Sequence, residues 1–313
     1  MSADAASRLL ATAFGLLVDR MSGEPPARMH PVAAFGRVMH AVEQRVYADE
    51  REPGVAYAAT GVAIGAVAGS AIGSTAAAVA TTSAGRMLRH EARRVGSALE
   101  SGDLDAARRI LPSLVGRDPT VLDASGIAAA TIESVAENTV DAVVGPVLWA
   151  VVFGAPGATT YRAVNTMDAM VGHRSARYEQ FGWAAARLDD VASFVPARVT
   201  ALLVCLACPT RAAAVLHALR HDAPSHPSPN AGVAEAAFAA ALELELGGTV
   251  TYASRVEDRP RLGRGPRPVA SDIPRAIRLA SRVELVLTAL LGAAAFAARR
   301  RRSGADQKWR KRR

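Results

Sequence analysis

Asp168, Asp189 and Asp190 lie with Asn165, Arg174 and Arg187 in one polar stretch, YRAVNTMDAMVGHRSARYEQFGWAAARLDD, residues 161–190. Carboxylates that hold a divalent cation, mixed with arginines that grip phosphate, suit phosphoryl transfer. Apolar sequence frames the stretch: residues 142–161 carry no charge, and residues 191–210 carry only Arg198. Ionisable groups beside membrane segments are costly and often mark a site. The competing reading is a solvated loop with local ion pairs, which contribute little at a surface. Asp190, directly before an apolar run, would also serve as a helix N-cap.

A second acidic set, Glu133, Glu137 and Asp141 in ESVAENTVD, is spaced by four, which aligns three carboxylates on one helix face beside Asn138. Like charges so stacked repel unless something neutralises them. A Mg²⁺ ion, which takes one or two protein carboxylates plus phosphate oxygens, is one neutraliser. Arg117 or another arginine is the other. A third motif, HPSPNAG at 226–232, sets prolines on both sides of Ser228, so His226 and Asn230 would present hydrogen-bonding groups from a stiff backbone. No G-x-S-x-G elbow accompanies Ser228, which argues against a serine hydrolase.

Composition narrows the chemistry. The only lysines are Lys308 and Lys311, and no G-x-x-x-x-G-K-[ST] occurs. A lysine Schiff base and a P-loop lysine are therefore excluded from the body, and phosphate would be bound by arginine, backbone N–H groups or a metal. Cys205 and Cys208 form a C-x-x-C in an apolar run with no further ligands nearby, which reads as buried free thiols.

The elements that must position these groups are helices. Half of the 313 residues are hydrophobic but only 5% are aromatic, which favours closely packed helices. The expected fold class is all-α, a polytopic integral membrane protein with polar helical and loop insertions. Leu9–Val18 reads as a retained N-terminal helix. The uncharged run 53–85 exceeds the roughly 20 residues a span needs, and its glycines at 61, 65, 69 and 73 make a stripe that lets two helix backbones approach closely. Residues 142–161 and 191–219 are further apolar elements. The first is interrupted by Pro146 and Pro156, and 285–298 is short for a span. Re-entrant or interfacial placement is expected for 142–161 and 285–298. Residues 86–116 read as an amphipathic helical pair broken at Ser101-Gly102-Asp103, with Asp103 as N-cap. Residues 247–275 read as an irregular loop over a site.

Residues 1–298 are expected to form a single membrane-embedded domain, followed by a basic tail, 299–313. That tail, RRRRSGADQKWRKRR, accounts for much of the net charge of +8. With no groove-reading motif or aromatic platform beside it, nucleic acid is not the expected partner. A cytoplasmic topology determinant touching anionic lipid is.

Five motifs, GEPPARMHPVAAFGR at 23–37, VGRD at 115–118, ESVAENTVD at 133–141, AVNTMDAMVG followed by FGWAAARLDD, and HPSPNAG, occur in an order that resembles the CobD/CbiB family of cobalamin biosynthesis proteins. Glu24, Ala142 and His173 depart from the family's usual aspartate, glycine and tyrosine. The resemblance implies a multi-pass enzyme of the cytoplasmic membrane that uses ATP and Mg²⁺. Its reaction joins adenosylcobyric acid to (R)-1-amino-2-propanol or its O-2-phosphate, giving adenosylcobinamide or its phosphate. On these motifs the expected catalytic residues are Asp168, Asp189, Asp190 and Arg187. The expected substrate-binding residues are His30, Arg117, Asn165, Arg174, His226, Ser228 and Asn230, and the expected metal ligands Glu133, Glu137, Asn138 and Asp141. Membrane lipids are expected partners, with a homo-oligomer or association with other cobalamin-pathway enzymes. A transporter for a corrinoid or other anionic solute and a non-catalytic membrane scaffold are the competing classes. No inverted pair of matched halves supports the transporter.

Overall fold

In the computed structural model, residues 3–22, 31–173, 175–252 and 255–310 are described. His30, Arg174, most of the 23–37 motif and the last three residues of the basic tail lie outside them. The helices run α1 Ala3–Ser22, α2 Pro31–Val46, α3 Arg51–Ile72 and α4 Thr75–Thr82. They continue with α5 Gly85–Glu100, α6 Leu104–Ile110, α7 Ala124–Thr139, α8 Gly145–Phe153 and α9 Ala155–Met167. The remainder are α10 Trp183–Ala192, α11 Phe194–Ala207, α12 Ala212–His221, α13 Ala231–Leu242 and α14 Ile273–Arg310. An antiparallel hairpin, β1 Leu246–Tyr252 and β2 Arg255–Leu262, stands between α13 and α14. The hairpin replaces the irregular loop expected there; its root is fixed by Leu246 and Leu262, both buried.

Local sequence explains most helix ends. Asp103 Oδ1 accepts the Ala106 N–H at 2.8 Å, so it caps α6 as the sequence suggested. Gly73, at φ 64°, adopts the left-handed turn that closes α3, and Ser74 then caps α4. The uncharged run 53–85 is thereby divided between two helices.

α3, the helix formed by α7 and α8 together (Ala124–Phe153), and Ala270–Arg300 at the base of α14 are each long and apolar enough to cross a membrane. α10 and α11, bent by 41° at Ser193, make a fourth if counted as one broken span. Outward-facing Val55, Val67, Phe194, Leu202, Leu206, Leu290 and Phe296 are exposed, as lipid contact requires. The protein is thus a helical membrane protein. The 142–161 run is broken, as expected, though at Gly154 rather than at Pro146: at φ 70° it ends α8 and starts α9. The lengths of two elements need correction. The first half of that run belongs to a helix 30 residues long that includes the ESVAENTVD motif. Residues 285–298 are likewise part of a long helix, because the acids and arginines before them lie on the same continuous α14.

The glycine stripe is a seam against α9. A Cβ on Gly61 would meet Met167, one on Gly65 would meet Ala163 at 2.9 Å, and one on Gly69 would meet Pro156 at 2.5 Å. The approach is close enough for Thr159 Oγ1 to donate to Gly65 O at 2.7 Å. Gly65→Leu is expected to cost about 1–3 kcal/mol or more through overpacking, whereas Ala68→Leu, on the exposed side, is expected to be tolerated. Yield of monodisperse protein in mild detergent measures the difference, and equal yields would remove the seam.

Candidate functional site

Two helices widen to π pitch at the acidic motifs. The chain is π-helical over Val140–Val144, between α7 and α8, and again over Asp168–Gly172, at the end of α9. Single π turns inside helices are frequent at functional sites. Here they carry Asp141 and Asp168. With the bend at Ser193 they open a cavity of about 1110 Å³. Its walls include Glu137, Asp141, Asp168, Arg187, Asp189, Asp190, His226, Ser228 and Asn230. Nine residues singled out in the sequence, spread over almost a hundred positions, therefore share one space.

α9 supports the acidic wall from behind. Asn165 Nδ2 donates to Asp189 Oδ1 at 3.4 Å, and the Tyr161 hydroxyl lies 3.5 Å from Asp141 Oδ1 and 3.0 Å from Ser193 Oγ. Tyr161 is buried against Gly145, where any side chain would strike its ring. Asn165 thus acts on Asp189 rather than lining the cavity. Asp168 is largely enclosed. Burial first, then the charges of Asp189 and Asp190, push its carboxyl up to about 7.

The loop 226–230 forms another wall. His226 Nδ1 accepts the Ser228 N–H at 3.1 Å, and Ser228 Oγ accepts the N–H groups of Asn230 and Ala231 at 3.4 and 3.1 Å. Asn230 donates to Asp190 O at 2.8 Å and accepts from Arg198 at 2.8 Å, which ties this loop to the acidic wall. The burial of His226 lowers its basicity.

The expected metal set does not converge. Glu133 Oε2 accepts from Arg117 at 2.5 Å, and its Oε1 accepts the Gly247 N–H at 2.8 Å, so this carboxylate is committed to an ion pair under the hairpin. Arg117 is committed in the same way. Asn138 turns off the shared face, donates to Ser134 and lines a separate small pocket with Arg162. Only Glu137 and Asp141 of the four reach the main cavity. Among the described residues, no three His, Cys, Asp or Glu side chains are placed to hold a metal by themselves. The neighbouring Asp141, Asp168, Asp189 and Asp190 do fit a Mg²⁺ ion that arrives with phosphate oxygens, since such an ion needs only one or two protein carboxylates.

Several cavity residues were not anticipated. Trp183, 40% exposed, stands at the wall with the Arg51 guanidinium 5.1 Å from its ring centre. Arg259 comes from β2. Glu235, wholly buried on α13, lies behind the His226 loop at 3.7 Å from His226 Nε2 and 3.9 Å from Arg259. The signal for Glu235 was a lone acid in AGVAEAAFAAAL; Arg259 sat in a charged segment with nothing to mark it.

These features define a helical membrane protein with a large acidic cavity at two helix distortions. The chain belongs to the CobD/CbiB family: the family model described as CobD/Cbib protein matches residues 12–280. It is 45% identical over 293 residues to the cobalamin biosynthesis protein CobD of Mycobacterium tuberculosis strain CDC 1551, covering 89% of this chain and 93% of that one. It is 43% identical over 300 residues to CobD of Chromobacterium violaceum, covering 90% and 95%. Against CobD of Geobacter metallireducens the identity is 39% over 295 residues, covering 88% and 93%. No solved structure matches it.

Two stability outcomes follow from the site. Arg117→Ala leaves Glu133 buried without its cation and is expected to destabilise the protein by about 3–5 kcal/mol; Glu133→Gln, which removes the charge, should cost less. A thermal shift for Arg117→Ala no larger than that of an exposed arginine would show the pair to be idle. Ionising Asp168 costs the folded protein but not the unfolded chain, so its contribution to stability falls as pH rises from about 4 to about 7 and is flat above. Asn does not ionise. Without divalent cation, the melting-temperature gain of Asp168→Asn over wild type should therefore grow across that window; a gain independent of pH would contradict it.

Proposed function

We propose that the protein is an ATP-dependent amide ligase of cobalamin biosynthesis, joining adenosylcobyric acid to aminopropanol or its phosphate. The role in cobalamin biosynthesis comes with the family. The observation that supports the ligase step is the cavity itself. Its volume exceeds the usual range for one drug-sized ligand, and it brings four aspartates, Arg187 and Arg259 together beside a half-exposed tryptophan. A large flat substrate and a nucleotide need such a space, and the transferred phosphoryl group needs such charges.

A carboxylate is a poor electrophile at neutral pH. In this reading its oxygen attacks the γ-phosphorus of ATP, ADP leaves, and the resulting acyl phosphate is attacked by the amine nitrogen. Phosphate then departs and the nitrogen's proton passes to a base. Mg²⁺, when bound, neutralises charge on the phosphate oxygens. Asp141, Asp168, Asp189 and Asp190 would hold it, with Asn165, Tyr161 and Ser193 fixing Asp189 and Asp141. Arg187 would steady transferring phosphoryl oxygens. A cytoplasmic cavity mouth and basic tail would give access to ATP and follow the positive-inside rule.

The purified protein in detergent, given cobyric acid, aminopropanol phosphate, Mg²⁺ and ATP, is expected to form the amide by mass spectrometry. No product with either amine would end the ligase reading. Asp189→Asn and Asp168→Asn should lower turnover at least tenfold, about 1.4 kcal/mol in barrier, and shift the Mg²⁺ titration to higher concentration. Wild-type rates with an unchanged titration would take these acids out of the metal site.

A further inference from the structure

A buried ion cluster away from the cavity marks a height on the protein surface. Glu284 on α14 accepts from Arg89 of α5 and lies 3.3 Å from Arg20 of α1. Arg20 also donates to Ser281 Oγ at 2.9 Å. α1 and α5 therefore reach α14 at the same height. From there α5 runs back along the first turns of α14, where a Cβ on Gly96 would meet Ile273 at 3.3 Å.

Two stripes of exposed side chains change character at that height. On α14, Arg278, Arg282, Leu285, Ala289 and Phe296 are exposed at intervals of three, four and seven residues, so they form one stripe. It is basic before Glu284 and apolar after it. On α1, Phe14, Leu17 and Met21 are exposed at intervals of three and four. Where α1 ends, Arg86 of α5 donates to Met21 O, and Arg93, two turns further on, is exposed on the same side of α5. Both stripes are thus apolar on one side of the ion cluster and basic on the other. A bilayer surface has the same profile, hydrocarbon and then phosphate. Arginines at such a step keep their stems on the apolar side and their guanidinium groups among the headgroups.

We propose that this face binds the headgroup of an anionic phospholipid, gripped by Arg86, Arg93, Arg278 and Arg282, and that the contact fixes how deeply the helices sit in the bilayer. Neighbouring arginines are paired, Arg94 with Glu91 and Arg275 with Asp272. Among the described residues no acid pairs with Arg93, Arg278 or Arg282, and Glu284, the one acid from Ile273 to Arg300, is buried and taken by Arg89. Guanidinium forks suit phosphate oxygens. A zwitterionic headgroup would bring an ammonium to this basic face along with its phosphate, whereas an anionic one such as phosphatidylglycerol brings the phosphate charge alone. The acyl chains of the same lipid would lie on the apolar half of the stripes. The site is separate from the basic tail, and the ligase reading plays no part in it.

Native mass spectrometry on the full chain, purified in detergent, stripped of lipid and titrated with phosphatidylglycerol or phosphatidylcholine, reads the preference. Wild type is expected to bind the first phosphatidylglycerol at least about fivefold more tightly than phosphatidylcholine. Arg278→Gln with Arg282→Gln should bring the two lipids within about twofold, while Arg86 stays on Met21 O and keeps the end of α1 fastened. A charge-matched pair off both stripes, Arg109→Gln with Arg264→Gln, should keep the wild-type preference. If the first double variant does not yield monodisperse protein, Arg282→Gln alone carries the test and should lose about half of the preference. Equal loss in both double variants would make the effect one of net charge and overturn the site. An unchanged preference on removing Arg278 and Arg282, or equal wild-type affinity for the two lipids, would overturn it as well. Displacement of phosphatidylglycerol by an equal concentration of inorganic phosphate would also overturn it, since a lipid bound here gains from its chains as well as its headgroup.

Discussion

Carboxylates set on helices that are apolar enough to cross a bilayer must find their partners inside the protein, because lipid offers none. That constraint organises this fold. Glu133 on α7 is met by Arg117 and by the hairpin's first turn. Glu284 on α14 is met by Arg89 from α5 and Arg20 from α1, which pins three helices at one buried point. Outside those helices, Glu43 on α2 draws Arg177 and the Tyr178 hydroxyl, and through them fixes the polar stretch that follows α9. Among the described acids of the main cavity, Asp190 pairs with Arg187 at 3.2 Å on its own helix, whereas Asp141, Asp168 and Asp189 make no such ion pair. The contrast separates carboxylates that hold the structure from those left to meet a ligand.

The helices bend where that cavity lies. Two π turns and the break at Ser193 sit on three neighbouring segments, and each places an aspartate at the wall or beside it. Close packing elsewhere makes the distortions sustainable. The α3–α9 seam brings backbones together without side chains between them, so α9 is held firmly enough to present Tyr161 and Asn165 to the acidic groups.

Much of this was legible in the residues. The glycine stripe showed through because its period of four matches one helix face. Asp103 stood where a cap belongs. The polar motifs shared a cavity because their residue types had no use in an apolar setting other than a site. The misreadings have physical causes. Spacing by four put Glu133, Glu137 and Asp141 on one face, but spacing says nothing about what packs over each turn. The hairpin covers Glu133, and the π turn shifts Asp141 relative to the residues before it. The acidic motif hid the start of a long apolar helix, since a run with charges does not look like a span until the charges are seen to be inside. Glu235 and Arg259 meet only through tertiary folding across α13 and β2, and no local pattern marks such a pair.

The π turn at Val140–Val144 also fixes the length of the chain around it. Each residue in a helix turns the chain by about 100°, and a π turn stores one residue more than the ordinary pitch would use. Loss of a single residue there would let the helix close to α pitch without breaking it, and the protein would stay a long apolar helix. The segments on either side would keep their mutual orientation, because the extra residue is what the wide turn absorbs; what would be lost is the local widening that carries Asp141. A deletion that leaves the long helix and its neighbours in place would therefore, at this point, fall on the site alone.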